Sequence, residues 1–257
     1  MITIGNYIKA ESLQQAWELN QKKSSRVLGG MLWLKQSRGR VGTAIDLSGL
    51  GLDTVEETEV EFSIGAMVTL RQLELHEGLN AFTQGAVNQA VKSLVGVQFR
   101  NMATVGGSLW GRFGFSDVLS VFLALDSYVE LYKGGIVPLR DFAAMEYDRD
   151  ILVRLIVKKT PARCVYQSVR ITKTDFPVLT CAAALTQGGW RFVYGARPGR
   201  AVLLERPAGE SPETLAAWAA EQVTVGSNMR GSADYRRQLV KTLTRRAAEK
   251  LGGEAVC

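Results

Sequence analysis

Two glycine pairs carry the clearest chemical signal in the sequence. One lies in LGGMLW, Leu28 to Trp33, and the other in TVGGS, Thr104 to Ser108. The second pair opens the stretch ATVGGSLWGRFGFSD, Ala103 to Asp117. That stretch holds four glycines, one acid at its far end, and no lysine or histidine. Glycine tolerates left-handed backbone angles and lets a ligand come close to the main chain. Successive N–H groups in such turns form a concave nest that favours anions. A diphosphate gripped by two such nests needs no lysine, so the reactive groups would belong to the ligand. The named phosphate signatures are missing. No Gly-Lys-Ser/Thr closes either segment, as a P-loop requires. The one G-x-G, Gly49 to Gly51, lacks the third glycine of a dinucleotide fingerprint. The competing reading is a pair of ordinary turns, because a chain with 26 glycines makes such pairs by chance.

Other reactive side chains are scarce. His76 is the only histidine, which nearly excludes histidine triads, relays and metal sites. Cys164, Cys181 and Cys257 are far apart and match neither a disulfide framework nor a zinc or iron–sulfur spacing. With no histidine base near in sequence, Cys164 and Cys181 read as core thiols. No metal is expected. The formal charge of +6 leaves acidic partners open. Lysines and arginines nevertheless alternate with acids, and the densest basic run, RRQLVKTLTRRAAEK, lacks the aromatics of a single-strand binder. Neither nucleic acid nor membrane is expected as a partner. VLSVFLAL, Val118 to Leu125, is far too short for a membrane span. The start, MITIGNYIKAESLQQ, has no signal-peptide pattern, so a cytoplasmic protein is expected.

The elements that would position the glycine pairs are legible in outline. Ser12 with Gln15 forms a capping-box pattern for a helix over Ser12 to Asn20. RVLGGMLWL reads as a strand, a tight turn and re-entry. AIDLSGLGL (Ala44 to Leu52) and VEFSIGA (Val60 to Ala66) read as strands. LNAFTQGAVNQAVKSLV has a helical pattern despite Gly85. SYVELYK and DILVRLIVKK read as strands, with a hairpin-like turn at Gly134-Gly135. TCAAALTQGGWRFVYGA suggests two strands joined at Gly188-Gly189. SPETLAAWAAEQ opens with Ser at the N-cap and Pro at N1. A last helix runs from about Ser232 to Leu251. The fold class is α+β, with a larger domain over residues 1–160 and a smaller sheet-and-helix domain over 161–257.

The run VGVQFRNMATVGGSLWGRFGFSDVLSVFLALDSYVEL resembles the flavin-binding subunit of the xanthine dehydrogenase family of molybdenum hydroxylases, carbon monoxide dehydrogenase flavoproteins among them. Arg100-Asn101, Ala103 to Ser108, Ser116-Asp117 and Leu123 to Ser127 carry that likeness. VLGGMLWL is similar to the family's first glycine loop, VEFSIGAMVTLRQLE to its Ile-Gly-Ala strand, and RGSADYRRQLVKTLTRRA to its C-terminal helix. The resemblance implies an FAD-binding domain of the vanillyl-alcohol-oxidase or PCMH type, followed by a carbon monoxide dehydrogenase flavoprotein-like C-terminal domain. It implies FAD as cofactor, a partner bearing 2Fe-2S clusters, a large molybdopterin-binding partner, and NAD as a possible acceptor. Carried onto this sequence, the first cofactor segment is Val27, Leu28, Gly29, Gly30, Met31 and Leu32. Leu28, Gly29 and Gly30 would face the pyrophosphate with N–H groups. The second segment is Ala103, Thr104, Gly106, Gly107 and Ser108, with Thr104, Gly106 and Gly107 gripping from the other side. Ala66 would lie beside the cofactor. Asp117, helped by Ser116, would accept from a sugar or polyol hydroxyl, and Leu152 would cover the isoalloxazine. The plainer reading of Ser116-Asp117 is a helix N-cap, and that of Leu152 is core.

The sequence departs from the family pattern at three of these places. Met31 stands where the family has a threonine, Ser108 where it has an asparagine, and Gln167 where a basic residue is common. Each loss of a hydrogen bond is worth roughly 0.5–1.5 kcal/mol. The reading is an FAD-carrying electron-transfer subunit. Its alternative is a scaffold subunit of the same complex with lost or weakened FAD binding. A self-contained flavin oxidoreductase would need an acid or base in the C-terminal domain, where Tyr194 and Tyr235 offer nothing convergent.

Overall fold

The architecture was obtained as a computed structural model, which describes residues 1–252. Cys257 lies outside them. In chain order the elements are β1 (Ile2–Lys9), α1 (Leu13–Asn20), β2 (Ser25–Leu28), β3 (Gly39–Asp46), β4 (Val55–Glu57), β5 (Glu61–Gly65), α2 (Leu70–Leu75), α3 (Glu77–Phe82), α4 (Ala86–Val91), α5 (Val97–Met102), α6 (Val105–Trp110) and α7 (Asp117–Ala124). They continue with β6 (Ser127–Leu131), β7 (Gly135–Pro138), α8 (Leu139–Ala144), β8 (Leu152–Lys158), β9 (Ala162–Arg170), β10 (Pro177–Thr186), β11 (Gly189–Gly195), β12 (Val202–Arg206), α9 (Pro212–Gln222) and α10 (Ala233–Gly252). Helices and sheets mix as an α+β chain. No described helix is long and apolar enough to cross a membrane.

The chain forms two compact units. The first gathers Met1–Gln72, Val97–Gly111 and Ser127–Lys158. The second gathers Leu73–Gly96, Arg112–Asp126 and the described residues from Lys159 onward. The chain thus leaves the first unit twice before its final exit at Lys158.

The first unit contains a parallel sheet in the order β1-β3-β2 and an antiparallel sheet in the order β4-β5-β8-β6-β7. Ala10, Ala16, Ile45 and Leu47 pack with Val153 of β8 and with Ile151 just before it in one buried cluster. Helix α1 begins as its capping pattern dictates, with the Ser12 hydroxyl accepting from the Gln15 N–H at 3.1 Å. The strand expected over Ala44 to Leu52 ends at Asp46 instead. The Asp46 carboxylate accepts from the Ser48 N–H at 2.9 Å, and an Asx-type turn replaces further pairing. The re-entry expected after Gly29-Gly30 is a short 3-10 turn over Leu34–Gln36, not a strand.

The second unit is a four-stranded antiparallel sheet in the order β12-β11-β10-β9. Side chains alternate across a strand, and β10 is buried on both faces. Leu179, Cys181 and Ala183 pack with Leu215, Ala219, Val240, Leu243 and Ala247 from α9 and α10. On the other face the Thr180 hydroxyl meets Ser120 of α7 at 3.3 Å. All eight residues of α7 are buried, which accounts for its apolar sequence. The single helix expected over Leu79 to Val95 is two, α3 and α4. Gln84 at φ 48° and Gly85 at φ 77° break it.

Candidate functional site

The two glycine segments meet in the first unit, backbone against backbone. A Cβ added at Gly30 would lie 1.8 Å from the Met102 carbonyl oxygen. One at Gly29 would lie 2.7 Å from Thr104 Oγ1 and 3.6 Å from Gly107 Cα. One at Gly106 would lie 2.7 Å from the Ala66 carbonyl oxygen and 2.8 Å from Ala66 Cβ. Three strips of main chain therefore stack at distances that only glycine permits: 28–30, 102–107 and 66–68. Here lies the first reason for the glycines, and it is packing.

The hydrogen bonds separate the two segments by role. Thr104 is an N-cap, and its Oγ1 accepts from the Gly107 N–H at 3.1 Å. The expected loop is thus the first turn of α6. Its donors are already engaged: Val105 N–H to Val68 O at 2.9 Å, Gly106 N–H to Ala66 O at 2.8 Å, and Ser108 N–H to Thr104 O at 3.0 Å. Gly106 and Gly107 consequently have their N–H groups turned to protein partners, so the expected grip by them is not formed by free donors. The Ser108 hydroxyl donates to the Thr104 carbonyl at 2.9 Å.

The first segment is the opposite case. Among the described residues, the N–H groups of Gly29, Gly30, Met31 and Leu32 meet no acceptor. Met31 adopts φ 59°, the left-handed geometry that turns consecutive N–H groups into an anion nest. Its side chain packs toward Leu28, Val41 and Ala44, so the family's threonine is replaced by a core contact. The Thr104 hydroxyl, pressed against Gly29, accepts from Gly107 and keeps its own proton to donate. A row of four half-buried or buried N–H groups beside one hydroxyl fits a diphosphate in donor type and charge.

The remaining expected residues divide between the units. Val27 lies in β2, and Ala103 caps the end of α5, its carbonyl accepting from Leu70 N–H at 2.8 Å. Ala66 donates its N–H to the Val153 carbonyl at 2.9 Å, beside buried Leu152 at the start of β8. Ser116 and Asp117 belong to the second unit. Ser116 caps α7, its hydroxyl accepting from Leu119 N–H at 3.1 Å. Asp117 is 2% exposed, and its Oδ1 accepts from both the Arg170 guanidinium and the Tyr166 hydroxyl. Burial pushes the Asp117 carboxyl up, against the pull of Arg170 and Tyr166. The Tyr166 hydroxyl is pushed well up by burial and by the Asp117 charge. Asp117 thus comes already partnered. Sequence reasoning missed Arg170. The signal was there: Tyr166 and Arg170 are four apart on β9 and share a face. The Gln167 amide donates to the Leu243 carbonyl at 3.4 Å. Burial pushes the thiols of Cys164 and Cys181 up to about 12.

Comparison with known proteins follows this geometry. Residues 3–159 match the family profile described as the FAD binding domain in molybdopterin dehydrogenase. The chain is 26% identical over 247 residues to the uncharacterised protein YgfM of Escherichia coli K12, covering 93% of each. It is 24% identical over 282 residues to the xanthine dehydrogenase FAD-binding subunit of Escherichia coli O157:H7, covering 96% of this chain and 95% of that one. Reconstituted carbon monoxide dehydrogenase from Oligotropha carboxidovorans shares the fold, with a TM-score of 0.85 at 23% identity over 98% of this chain and 99% of that one.

Proposed function

The chain belongs to the FAD-binding-domain family of molybdopterin dehydrogenases, and from that premise we propose that it is the flavin-carrying electron-transfer subunit of a molybdenum hydroxylase complex. In this reading a partner bearing 2Fe-2S clusters delivers electrons, a large molybdopterin-binding partner feeds those clusters, and NAD or another acceptor removes the electrons. Residues 1–160 form the FAD-binding domain, and the rest forms a smaller C-terminal domain. FAD, when bound, supplies the exchange between one-electron and two-electron transfer.

The observation that carries the reading is the row of uncommitted N–H groups from Gly29 to Leu32 beside the Thr104 hydroxyl. These donors hold the diphosphate and neutralise part of its charge. Val27 and Leu28 bring the chain to that row along β2, and the engaged first turn of α6 backs it. Gly29 against Thr104 and Gly30 against the Met102 carbonyl fix the spacing of the two segments, and Gly106 packs on Ala66. Leu152 supplies an apolar surface. No side chain of the chain is assigned a proton transfer.

The weakened-FAD reading gains one specific observation: Asp117 is already taken by Arg170 and Tyr166. The test of the proposal is purification of the native complex. The expected result is co-elution of this chain with a 2Fe-2S subunit, with flavin absorbance that bleaches when the clusters are reduced. A native chain that carries no flavin, or whose flavin stays oxidised under reduced clusters, would refute it.

A further inference from the structure

We infer that β1 is a docking edge for a second copy of this chain, the two β1 strands pairing antiparallel about a two-fold axis at Asn6. The inference concerns the first unit alone and stands whether or not the chain carries flavin.

Strand β1 ends the parallel sheet, bonded to β3 on one side and to no described strand on the other. Edge strands are usually guarded by charges, prolines, bulges or short length. β1 has few such guards. It runs for eight residues, holds no proline, keeps one constant register against β3, and carries a single charge, Lys9, at its end. It also exposes two large apolar side chains, Ile4 at 37% and Tyr7 at 57%. Side chains alternate along a strand, so Ile2, Ile4, Asn6 and Ile8 share one face, and Thr3, Gly5, Tyr7 and Lys9 the other. On the second face β3 adds a cation and an anion. A Cβ built at Gly5 would lie 3.5 Å from an Arg40 guanidinium nitrogen, so Arg40 reaches over that glycine. Asp46 accepts from the Tyr7 hydroxyl, and from the Ser48 hydroxyl at 2.9 Å. The edge is thus positive at Gly5 and negative at Tyr7.

That polarity selects the occupant and the register. A two-fold axis normal to the sheet keeps each face on its own side, so odd residues meet odd and even meet even. Pairing Gly5 with Gly5 would set two Arg40 side chains against each other over a gap. Pairing Tyr7 with Tyr7 would set Gly5, under Arg40, opposite Lys9. Both juxtapose like charges, which is unfavourable across a strand pair. Pairing Asn6 with Asn6 sets Gly5 opposite Tyr7 of the second copy, twice. Each Tyr7 ring then fills the space beside a glycine and meets the Arg40 cation, with Asp46 behind it. On the opposite face Ile4 meets Ile8 of the second copy. One strand pair is smaller than the about 1,200 Å² of stable interfaces, so the dimer is weak and exchanges with monomer.

The experiment is sedimentation velocity of the purified full chain from roughly 10 µM to 1 mM, with a thermal melt of each variant. The expected result is a concentration-dependent shift from monomer to dimer. Ile4→Lys should raise the dimer dissociation constant about tenfold or more, because symmetry counts each change twice. Ile8→Glu should do the same. Mixing the two variants should restore association, since a lysine then faces a glutamate in one half of the seam while the native isoleucines keep the other half. Should Ile8→Glu not fold, Arg40→Glu takes its place as an exposed change that sets an acid against Asp46, and it should weaken the dimer to a similar degree. A native chain that stays monomeric at about 1 mM would overturn the inference. A dimer that survives both Ile4→Lys and Arg40→Glu would overturn it too, because another surface would then hold it. A mixture of Ile4→Lys and Ile8→Glu that associates no better than either variant alone would overturn the pairing of Ile4 with Ile8.

Discussion

Gly30→Ala and Gly107→Ala make the same chemical change at the two glycine segments, and the structure gives them opposite outcomes. At Gly30 the new methyl would lie 1.8 Å from the Met102 carbonyl oxygen and 2.5 Å from its carbon. That is roughly 1.5 Å short of an ordinary contact, and the obstacle is backbone, which cannot rotate away. Overpacking of this kind costs about 3 kcal/mol or more. At about 2–4 °C per kcal/mol for a chain of this size, the melting temperature should fall by roughly 6–12 °C. The strips 28–30 and 102–107 would separate, so FAD affinity should fall as well. At Gly107 the only atom within 4 Å of the new methyl is Thr104 Oγ1, at 3.2 Å. A helical Gly-to-Ala change there gains up to about 1 kcal/mol of propensity. The melting temperature should stay level or rise by a few degrees. Differential scanning calorimetry with a parallel FAD titration reads both. A Gly30→Ala protein that melts like the native chain and binds FAD as well would refute the packing argument.

Further outcomes follow from the same geometry. Thr104→Val keeps shape but removes the N-cap acceptor and the spare proton; it should cost about 0.5–2 kcal/mol of stability in calorimetry and weaken FAD several-fold in titration. Cys164 and Cys181, with thiols near 12, should resist iodoacetamide in the folded protein at pH 8 and react after unfolding, by peptide mapping. The Asp117 carboxyl is raised in the fold, so its contribution to stability should fall as pH rises from the unfolded value near 3.8 up to the folded value, then level off. The gap in melting temperature between the native chain and Asp117→Asn should therefore narrow as pH rises above about 3.8.

Much of the scaffold was legible because it follows local chemistry. Ser12 with Gln15, Ser211 before Pro212, and the turn that ends at Gly189, φ 114°, at the start of β11 each follow from residues close in sequence. β1 was not legible, because most of its residues are exposed and Gly5-Asn6 interrupts the alternation of Ile2, Ile4 and Ile8. The split between α3 and α4 escaped because Gln84 at φ 48° is not a residue type that announces a left-handed angle. The glycine segments were visible, but not their division of labour. That Gly106 and Gly107 sit in a helix with engaged donors depends on Val68 and Ala66, far away in sequence. The spacing of Tyr166 and Arg170 shows their shared strand face, but not that Arg170 meets Asp117 across 53 positions.

The central claim is that the free donors of Gly29 to Leu32 hold the diphosphate of FAD. The most direct test is an absorbance spectrum of the purified chain with and without added FAD, followed by acid release and identification of the flavin. The account predicts a yellow protein, or one that becomes so on adding FAD, releasing one FAD per chain. A colourless chain that takes up no FAD while still binding an iron–sulfur partner would contradict it, and would leave the fold serving as a scaffold.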